Sequence, residues 1–309
     1  MVKAIGPVEI GVTAPDVVGG QSPGWRKNQH TRSTIGDIVV YVLLLIGSAA
    51  ILVPFFWQIS TSLKDDFQVN QVPPQWIPTP LHFENYVNAF TQLPFDYFLR
   101  NSILIELGVL VGTILSSTMV AYAFARLHAP FKNFLFVIVL STMMLPGVIT
   151  LVPSYFIFVK LHWVDTLLPL IVPAWFGGGA FNIFLLRQFF MTIPSELADA
   201  AAVDGAGTLR TIFTIYVPLA KPALAAVAIM TFIGVWHDFM GPLIYLNSEH
   251  NFTLALGINE FIQNSKSGAI THWPLVMAAS TAIIAPPLAL FLFFQRYFIE
   301  GILLGSTKG

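Results

Sequence analysis

SELADAAAVDGAGTLRTIFTIYVPLAKP fills residues 195–222 of a 309-residue chain. The stretch is alanine-rich, edged with acids, and holds two prolines near its end. Long apolar runs flank it on both sides. Its meaning depends on those surroundings. The chain is 55% hydrophobic and only 10% charged, with a mean hydropathy of +0.73. A soluble domain carries about 25% charged residues, so this chain has too few to cover a water-facing surface.

Six apolar stretches can be drawn, at roughly residues 38–60, 102–125, 134–158, 167–189, 222–246 and 274–298. Each is long enough to cross a hydrocarbon core of about 30 Å. A β-barrel would instead show alternating segments of about ten residues. The sequence therefore predicts an all-α polytopic membrane protein with six transmembrane helices. Residues 1–34 are polar and lack the pattern of a cleaved signal peptide; they read as a flexible cytoplasmic tail. Residues 35–309 form the membrane domain, with a cytoplasmic loop at about 190–221.

Charge sets the orientation. With the N-terminus inside, eleven basic residues face the cytoplasm: Lys3, Arg26, Lys27, Arg32, Arg126, Lys132, Arg187, Arg210, Lys221, Arg296 and Lys308. Four lie outside: Lys64, Arg100, Lys160 and Lys266. Positive charge favours the cytoplasmic side, so both termini are placed there. The net charge is −1, and no basic patch invites nucleic acid. The chain has no cysteine, which excludes disulfides and thiolate metal sites. His128, His162 and His272 show no metal-ligand spacing, so no metal site is read.

Within the quoted stretch, Ser195 stands at a helix start, with Glu196 and Asp199 where the helix dipole favours negative charge. Gly205 is a helix stop. At 100° per residue, Ala198, Ala201, Ala202 and Gly205 share one side, with the acids on the flank and Asp204 beyond. A small face allows close approach of another surface; an acidic edge invites a cation. Thr208–Val217 continues as a second short helix, which Pro218 and Pro222 are expected to break. The same geometry suits a surface helix with only a packing role, and the residues alone leave both readings open.

Asp199-Ala200-Ala201, three residues, Gly205, nine residues, Ile215, one residue, Val217-Pro218 resembles the EAA loop of ABC importer permeases. Asp199 and Val217 depart from the Glu and Leu usual there. The resemblance extends from about residue 35 to the C-terminus, through SLKDDFQVNQVPPQWIPTPLHFENYVNAF (62–90), AYAFARLHAPFKN (121–133), FNIFLLRQFFMTIPSELADAAAVDGA (181–206) and QRYFIEGILLGSTKG (295–309). In those stretches it is similar to the smaller six-span permease of the maltose-type, sugar-importing branch. That branch usually has Trp-Asn-acidic in its fifth span; here Trp236-His237-Asp238 stands.

The resemblance implies a type I ABC importer permease fold and carriage of a sugar across the inner membrane by alternating access. It implies a heterodimer with a second permease, two cytoplasmic ATPase subunits and an extracytoplasmic sugar-binding protein, all within membrane lipid. Glu196, Asp199, Ala200, Ala201, Asp204, Gly205, Ile215 and Pro218 would form the ATPase-coupling site. The tail 305–309 would also reach the ATPases. ATP and Mg would be bound by those subunits, with no cofactor on this chain. In keeping with that, G-x-x-x-x-G-K-[ST] is absent, so the chain is not read as an enzyme.

Intramembrane polar groups are the remaining candidates. Charges there are costly and often functional, which singles out Glu106 and Asp238; a structural ion pair or helix–helix bond is the alternative for each. Trp175 and Asn182 flank three glycines at 177–179, and with Trp236, His237 and Asp238 they are the candidate substrate-pathway residues. Close helix packing at glycine explains Trp175 and Asn182 equally well. Two other functions stay open. One is an ABC permease for a polyol, phosphodiester or peptide. The other is an ion-coupled secondary transporter, with Glu106 and Asp238 as its ion site.

Overall fold

The computed structural model describes residues 25–92, 94–266 and 272–306, with side chains for 36–92, 94–260, 262–263 and 272–295. No strand occurs among the described residues. The chain forms two units, Met1–Phe56 and Trp57–Gly309. Of the first unit, residues 25–56 are described, and all are helical. They belong to α1 (Trp25–Ser62), which continues through Pro54. Helix therefore begins inside the stretch read from sequence as a tail; residues 1–24 of that tail lie outside the described residues.

The second unit begins with an outer segment holding α2 (Asp66–Val69) and α3 (Glu84–Thr91). It continues with α4 (Phe95–Arg126), an unbroken helix of 32 residues. Next come α5 (Lys132–Ser141), α6 (Gly147–Lys160), α7 (Leu168–Ile171) and α8 (Ala180–Thr192). The quoted stretch supplies α9 (Glu196–Val203), α10 (Thr208–Thr211) and α11 (Val217–Leu219). Then follow α12 (Lys221–Trp236), α13 (Met240–Tyr245), α14 (Leu254–Lys266) and α15 (Trp273–Ser306).

Four helical stretches are long and apolar enough to cross a membrane: Gly36–Ser62, Phe95–Arg126, Leu168–Thr192 and Trp273–Gln295. Two bent pairs bring the number to six if each pair is one span. Lys132–Met144 meets Gly147–Lys160 at 101°, and Thr208–Leu219 meets Lys221–Trp236 at 85°. The first bend has a local cause. Leu145 precedes Pro146 and is extended, with ψ 119°, because the proline ring disfavours helical backbone in the residue before it. Pro153 and Pro286-Pro287 lie inside helices that continue through them.

Two buried clusters hold the second unit together. One, at the end where α4 begins, joins Phe95, Phe98, Leu246, Phe252, Leu254, Leu275 and Ala278. The other, at the end that carries α9, joins Tyr122, Leu186, Phe190, Ile212, Tyr216 and Val227. Between them α4 packs closely on the chain before α8. A Cβ on Gly112 would sit 2.6 Å from the Trp175 ring, and one on Gly178 would sit 2.6 Å from the Thr113 carbonyl oxygen. Gly178 also has φ +66°, so both space and backbone require glycine there.

The loops around Lys64 and Asp165 are pinned by buried or shared polar groups. Lys64, counted from sequence as an outside cation, is fully buried. Its ammonium lies 3.9 Å from the centroid of the Trp57 ring, and burial lowers its pKa. Asp165, at φ +61°, accepts hydrogen bonds from the backbone N–H groups of Asn247 (2.9 Å) and Ser248 (2.8 Å), and from the Ser248 hydroxyl. The Asn251 amide donates to its backbone carbonyl at 2.7 Å. Burial pushes the Asp165 pKa up, but these donors outweigh it and hold the carboxyl well below the usual range.

Replacing Asp165 with Asn should therefore destabilise the detergent-solubilised protein by roughly 1–3 kcal/mol, the scale of hydrogen bonds to a charged group. The depressed pKa makes this contribution complete above the unfolded carboxyl value of about 3.9 and lost as pH falls below it. Thermal melts at pH 6 and pH 8 should show the same gap between variant and wild type.

Candidate functional site

The quoted stretch folds as a compact double turn. Ser195 occupies the N-cap of α9, yet its side chain makes no capping bond; its backbone is helical (φ −67°, ψ −29°). The helix start rests instead on backbone bonds, with the Ala198 N–H donating to the Ser195 carbonyl at 2.9 Å. At the far end Gly205 has φ +77°. The Ala206 N–H donates to the Ala201 carbonyl at 2.8 Å, and the Gly205 N–H to the Ala202 carbonyl at 3.1 Å. That paired arrangement is the Schellman stop expected of a glycine.

The small face divides differently from the sequence reading. Ala201 is buried and Ala198 packs against the inner cluster of the chain itself. Glu196, Leu197, Asp199, Ala200, Ala202, Val203, Asp204 and Gly205 remain exposed. The outward surface is thus an acidic rim around a bare apolar knob, Val203, which is 88% exposed. The physical reason is the adjoining core: Ala198 packs against the apolar cluster that includes Ile193 and Ile212, which turns that side of α9 toward the chain itself.

The second half also departs from expectation. Pro218 does not break the segment. It lies in the first turn of α11, where a missing N–H costs little. The turn Ile212–Tyr216 is wound as a π turn, and the bend falls at Ala220 (φ −93°, ψ 14°). Pro218 is exposed and Ile215 is partly buried against the inner cluster. Tyr216 is fully buried. Its ring meets Tyr122 edge-on at 4.9 Å and Phe190 at 5.5 Å.

The membrane candidates fall into two places. Trp236 and Asp238 line a cavity of about 80 Å³ together with Ser102, Val109, Leu170 and Thr253. Asp238 sits where the fifth apolar run is interrupted, between α12 and α13, and one of its oxygens accepts from the Gly241 N–H at 3.1 Å. Trp236 donates through its indole N–H to the Ile283 carbonyl at 3.1 Å and stacks on Phe232. It also lines a larger apolar cleft of about 690 Å³ with Leu99, Asp96, Ile283 and Pro286. His237 is exposed, with Nδ1 2.9 Å from the Ile233 carbonyl.

Trp175 and Asn182 line neither cavity. Trp175 lies against Gly112 and is half-exposed. Asn182 donates to the Gly178 carbonyl at 2.7 Å, closing the start of α8. Glu106 is buried, and neither carboxyl oxygen has a hydrogen-bond partner among the described residues. Also among the described residues, no three His, Cys, Asp or Glu side chains cluster to hold a metal ion.

Comparison with known proteins decides the family. Residues 108–303 match the family described as binding-protein-dependent transport system inner membrane component. The chain belongs to this family.

Among its relatives, the sn-glycerol-3-phosphate transport system permease protein UgpE of Yersinia enterocolitica is 36% identical over 272 residues, covering 86% of this chain and 95% of that protein. The arabinooligosaccharides transport system permease protein AraQ of Halalkalibacterium halodurans is 36% identical over 234 residues, 75% and 81% of the two chains. A chain in the crystal structure of a bacterial ABC transporter involved in import of the acidic polysaccharide alginate matches with TM-score 0.76 at 23% identity. That match covers 90% of this chain and all of the other, and it shows a shared fold. The protein is thus an all-α inner membrane permease component of the ABC importer type, a transporter rather than a catalytic subunit.

Two cations that motif reading passed over bind backbone carbonyls between α4 and α8. Arg126, at the end of α4, donates through Nη2 to the Phe190 carbonyl at 2.7 Å and to the Ile193 carbonyl. Its guanidinium lies 5.6 Å from the centroid of the Tyr216 ring. Arg187 of α8 donates through Nε to the Phe124 carbonyl at 3.3 Å and lies 4.1 Å from the Phe136 ring centroid. In sequence they were only cations on the inner side; their carbonyl partners lie 63 to 67 residues away.

The loop's one left-handed residue is directly testable. Nothing lies within 4 Å of a Cβ at Gly205, so any penalty there comes from backbone alone. Gly205→Val should destabilise by about 1–2 kcal/mol, while Gly205→Asn, which tolerates the left-handed region, should cost less. Thermal melts of the two variants should differ in that order; equal melts would show that the positive φ imposes no constraint.

Proposed function

We propose that the protein is one permease subunit of a heterodimeric ABC importer that carries a sugar across the inner membrane by alternating access. The observation that carries the reading is the outward surface of α9. An acidic helix with a bare Val203 projects from the inner cluster, in a chain whose family works with binding proteins. In this reading two cytoplasmic ATPase subunits bind ATP and Mg and receive α9. Glu196, Asp199 and Asp204 pair with cations on the ATPase, and Val203 fills an apolar depression beside them. Ala200 takes part in that contact, Ala201 and Ile215 hold the loop to its own core, and Gly205 and Pro218 set its turns.

The remaining assignments follow. Both termini are cytoplasmic, the domain is residues 35–309, and an extracytoplasmic sugar-binding protein docks on the outer loops. The pathway runs past Trp236 and Asp238, where an aromatic face, a carboxylate and the hydroxyl-bearing Ser102 and Thr253 meet; these suit a sugar's C–H faces and hydroxyls. His237, Trp175 and Asn182 border it. Relatives named for arabinooligosaccharides and for sn-glycerol-3-phosphate support a carbohydrate or a polyol derivative as the solute. The second of those names favours one further reading, a phosphorylated polyol.

The test is ATP hydrolysis by the co-expressed complex in lipid nanodiscs with its binding protein, against a panel of sugars and glycerol phosphates. Stimulation by one sugar class is the expected result; stimulation by a glycerol phosphate alone would favour the second reading. Asp199→Lys should lower stimulated hydrolysis and uptake about tenfold or more, the scale of one charge-assisted bond turned repulsive, with membrane insertion unchanged. Normal uptake in that variant would sink the ion-pair role.

A further inference from the structure

α4 and α8 run in the same direction. Thr113 and Ser116 lie by Gly178, Tyr122 by Phe190, and Arg126 by Ile193. Two parallel helices bring two C-terminal ends side by side. Each end carries partial negative charge and carbonyls without intrahelical donors. Such ends repel and need cations.

The structure supplies one from each helix. Arg126, at the end of α4, donates to the Phe190 carbonyl of α8 and to the Ile193 carbonyl just beyond it. Arg187 of α8 donates in return to the Phe124 carbonyl of α4. Each guanidinium is also backed by an aromatic ring from a further element: Tyr216 of the π turn for Arg126, and Phe136 of α5 for Arg187. Ile193 is followed by Pro194 and Ser195, so the carbonyl that Arg126 holds lies at the root of α9. Further along, the middle of α4 meets the chain just before α8 at Gly112–Trp175 and Gly178–Thr113.

We propose that Arg126 and Arg187 are positioning residues forming a reciprocal clasp, which makes α4 and α8 one rigid body. Displacement of α9 then reaches the membrane-embedded Gly112–Trp175 contact without being absorbed by sliding between the helices. The functional half of this inference rests on the importer reading above. Among the described residues Arg126 has no ion pair with an acid: both of its hydrogen bonds go to carbonyls, as a dipole-neutralising cation requires.

The test compares wild type with Arg126→Ala, Arg126→Lys and Arg187→Ala in the full complex with ATPase subunits and binding protein. Two quantities are read: solute imported per ATP hydrolysed, and amide exchange across residues 190–207. Arg126→Ala should lower import per ATP about tenfold, the scale of losing hydrogen bonds from a charged donor, and speed amide exchange at the root of α9. Arg126→Lys should recover part of the loss, since an ammonium still donates to carbonyls but stacks less well on Tyr216. Arg187→Ala added to Arg126→Ala should cost less than it does alone, as expected of one shared device.

A merely structural role would lower the amount of complex and leave import per ATP unchanged. Unchanged import per ATP with unchanged exchange in Arg126→Ala would overturn the clasp. Should Arg126→Ala fail to assemble, Arg126→Gln carries the same comparison. Should the wild-type complex import nothing, the importer reading falls, while exchange still decides the clasp: faster exchange supports it and unchanged exchange overturns it.

Discussion

The unbroken helix α4 carries side chains that satisfy the backbone at several places where its neighbours break. Inside a bilayer each unpaired N–H or carbonyl costs several kcal/mol, so irregular backbone survives only where protein groups meet it. Asn101 donates to the carbonyls of His250 and Phe252. Ser102 accepts from the Leu254 N–H at the start of α14. Ser116 reaches the Ala174 carbonyl at 2.9 Å, just before the three-glycine break. Arg126 takes the carbonyls that close α8. Along its length, one unbroken helix supports four places where the rest of the chain turns.

That arrangement explains why the breaks can sit at depth. The glycines at 177–179 have φ of +105°, +66° and +91°, a path no regular helix takes. Without Ser116, the Ala174 carbonyl would lose the donor that meets it just before that path. The interruption after Trp236 is handled more locally: Asp238 accepts the Gly241 N–H and so restarts the chain as α13. The charge singled out in the fifth apolar run thus has a structural task, and the residue also lines the small cavity with Ser102 and Thr253. Glu106 has no such task among the described residues and stays buried without a partner.

Much of this was legible in sequence because it depends on local composition. Apolar runs of about 20 residues marked the spans, and the spacing from Asp199 through Gly205 to Pro218 marked the loop. Gly205 was readable as a stop because only glycine enters the left-handed region freely. What was hidden depends on partners far along the chain. Pro146 breaks its helix while Pro153 does not, and nothing in the two residues distinguishes them. Which side of α9 turns toward the chain itself could not be read from the residues, because it depends on the apolar cluster that receives Ala198. Arg126, Arg187 and Asp165 were unremarkable charges until their carbonyl or amide partners, more than 60 residues away, came alongside.

In the proposed importer, force enters the permease at the exposed side of α9. The absence of native cysteine makes this open to one direct measurement: site-specific crosslinking from Val203→Cys in the assembled complex, using a short heterobifunctional reagent. Crosslinking to an ATPase subunit, altered in yield by ATP, is the result the account predicts. A Val203→Cys chain that crosslinks only within itself, in a complex that still hydrolyses ATP on addition of solute, would contradict it.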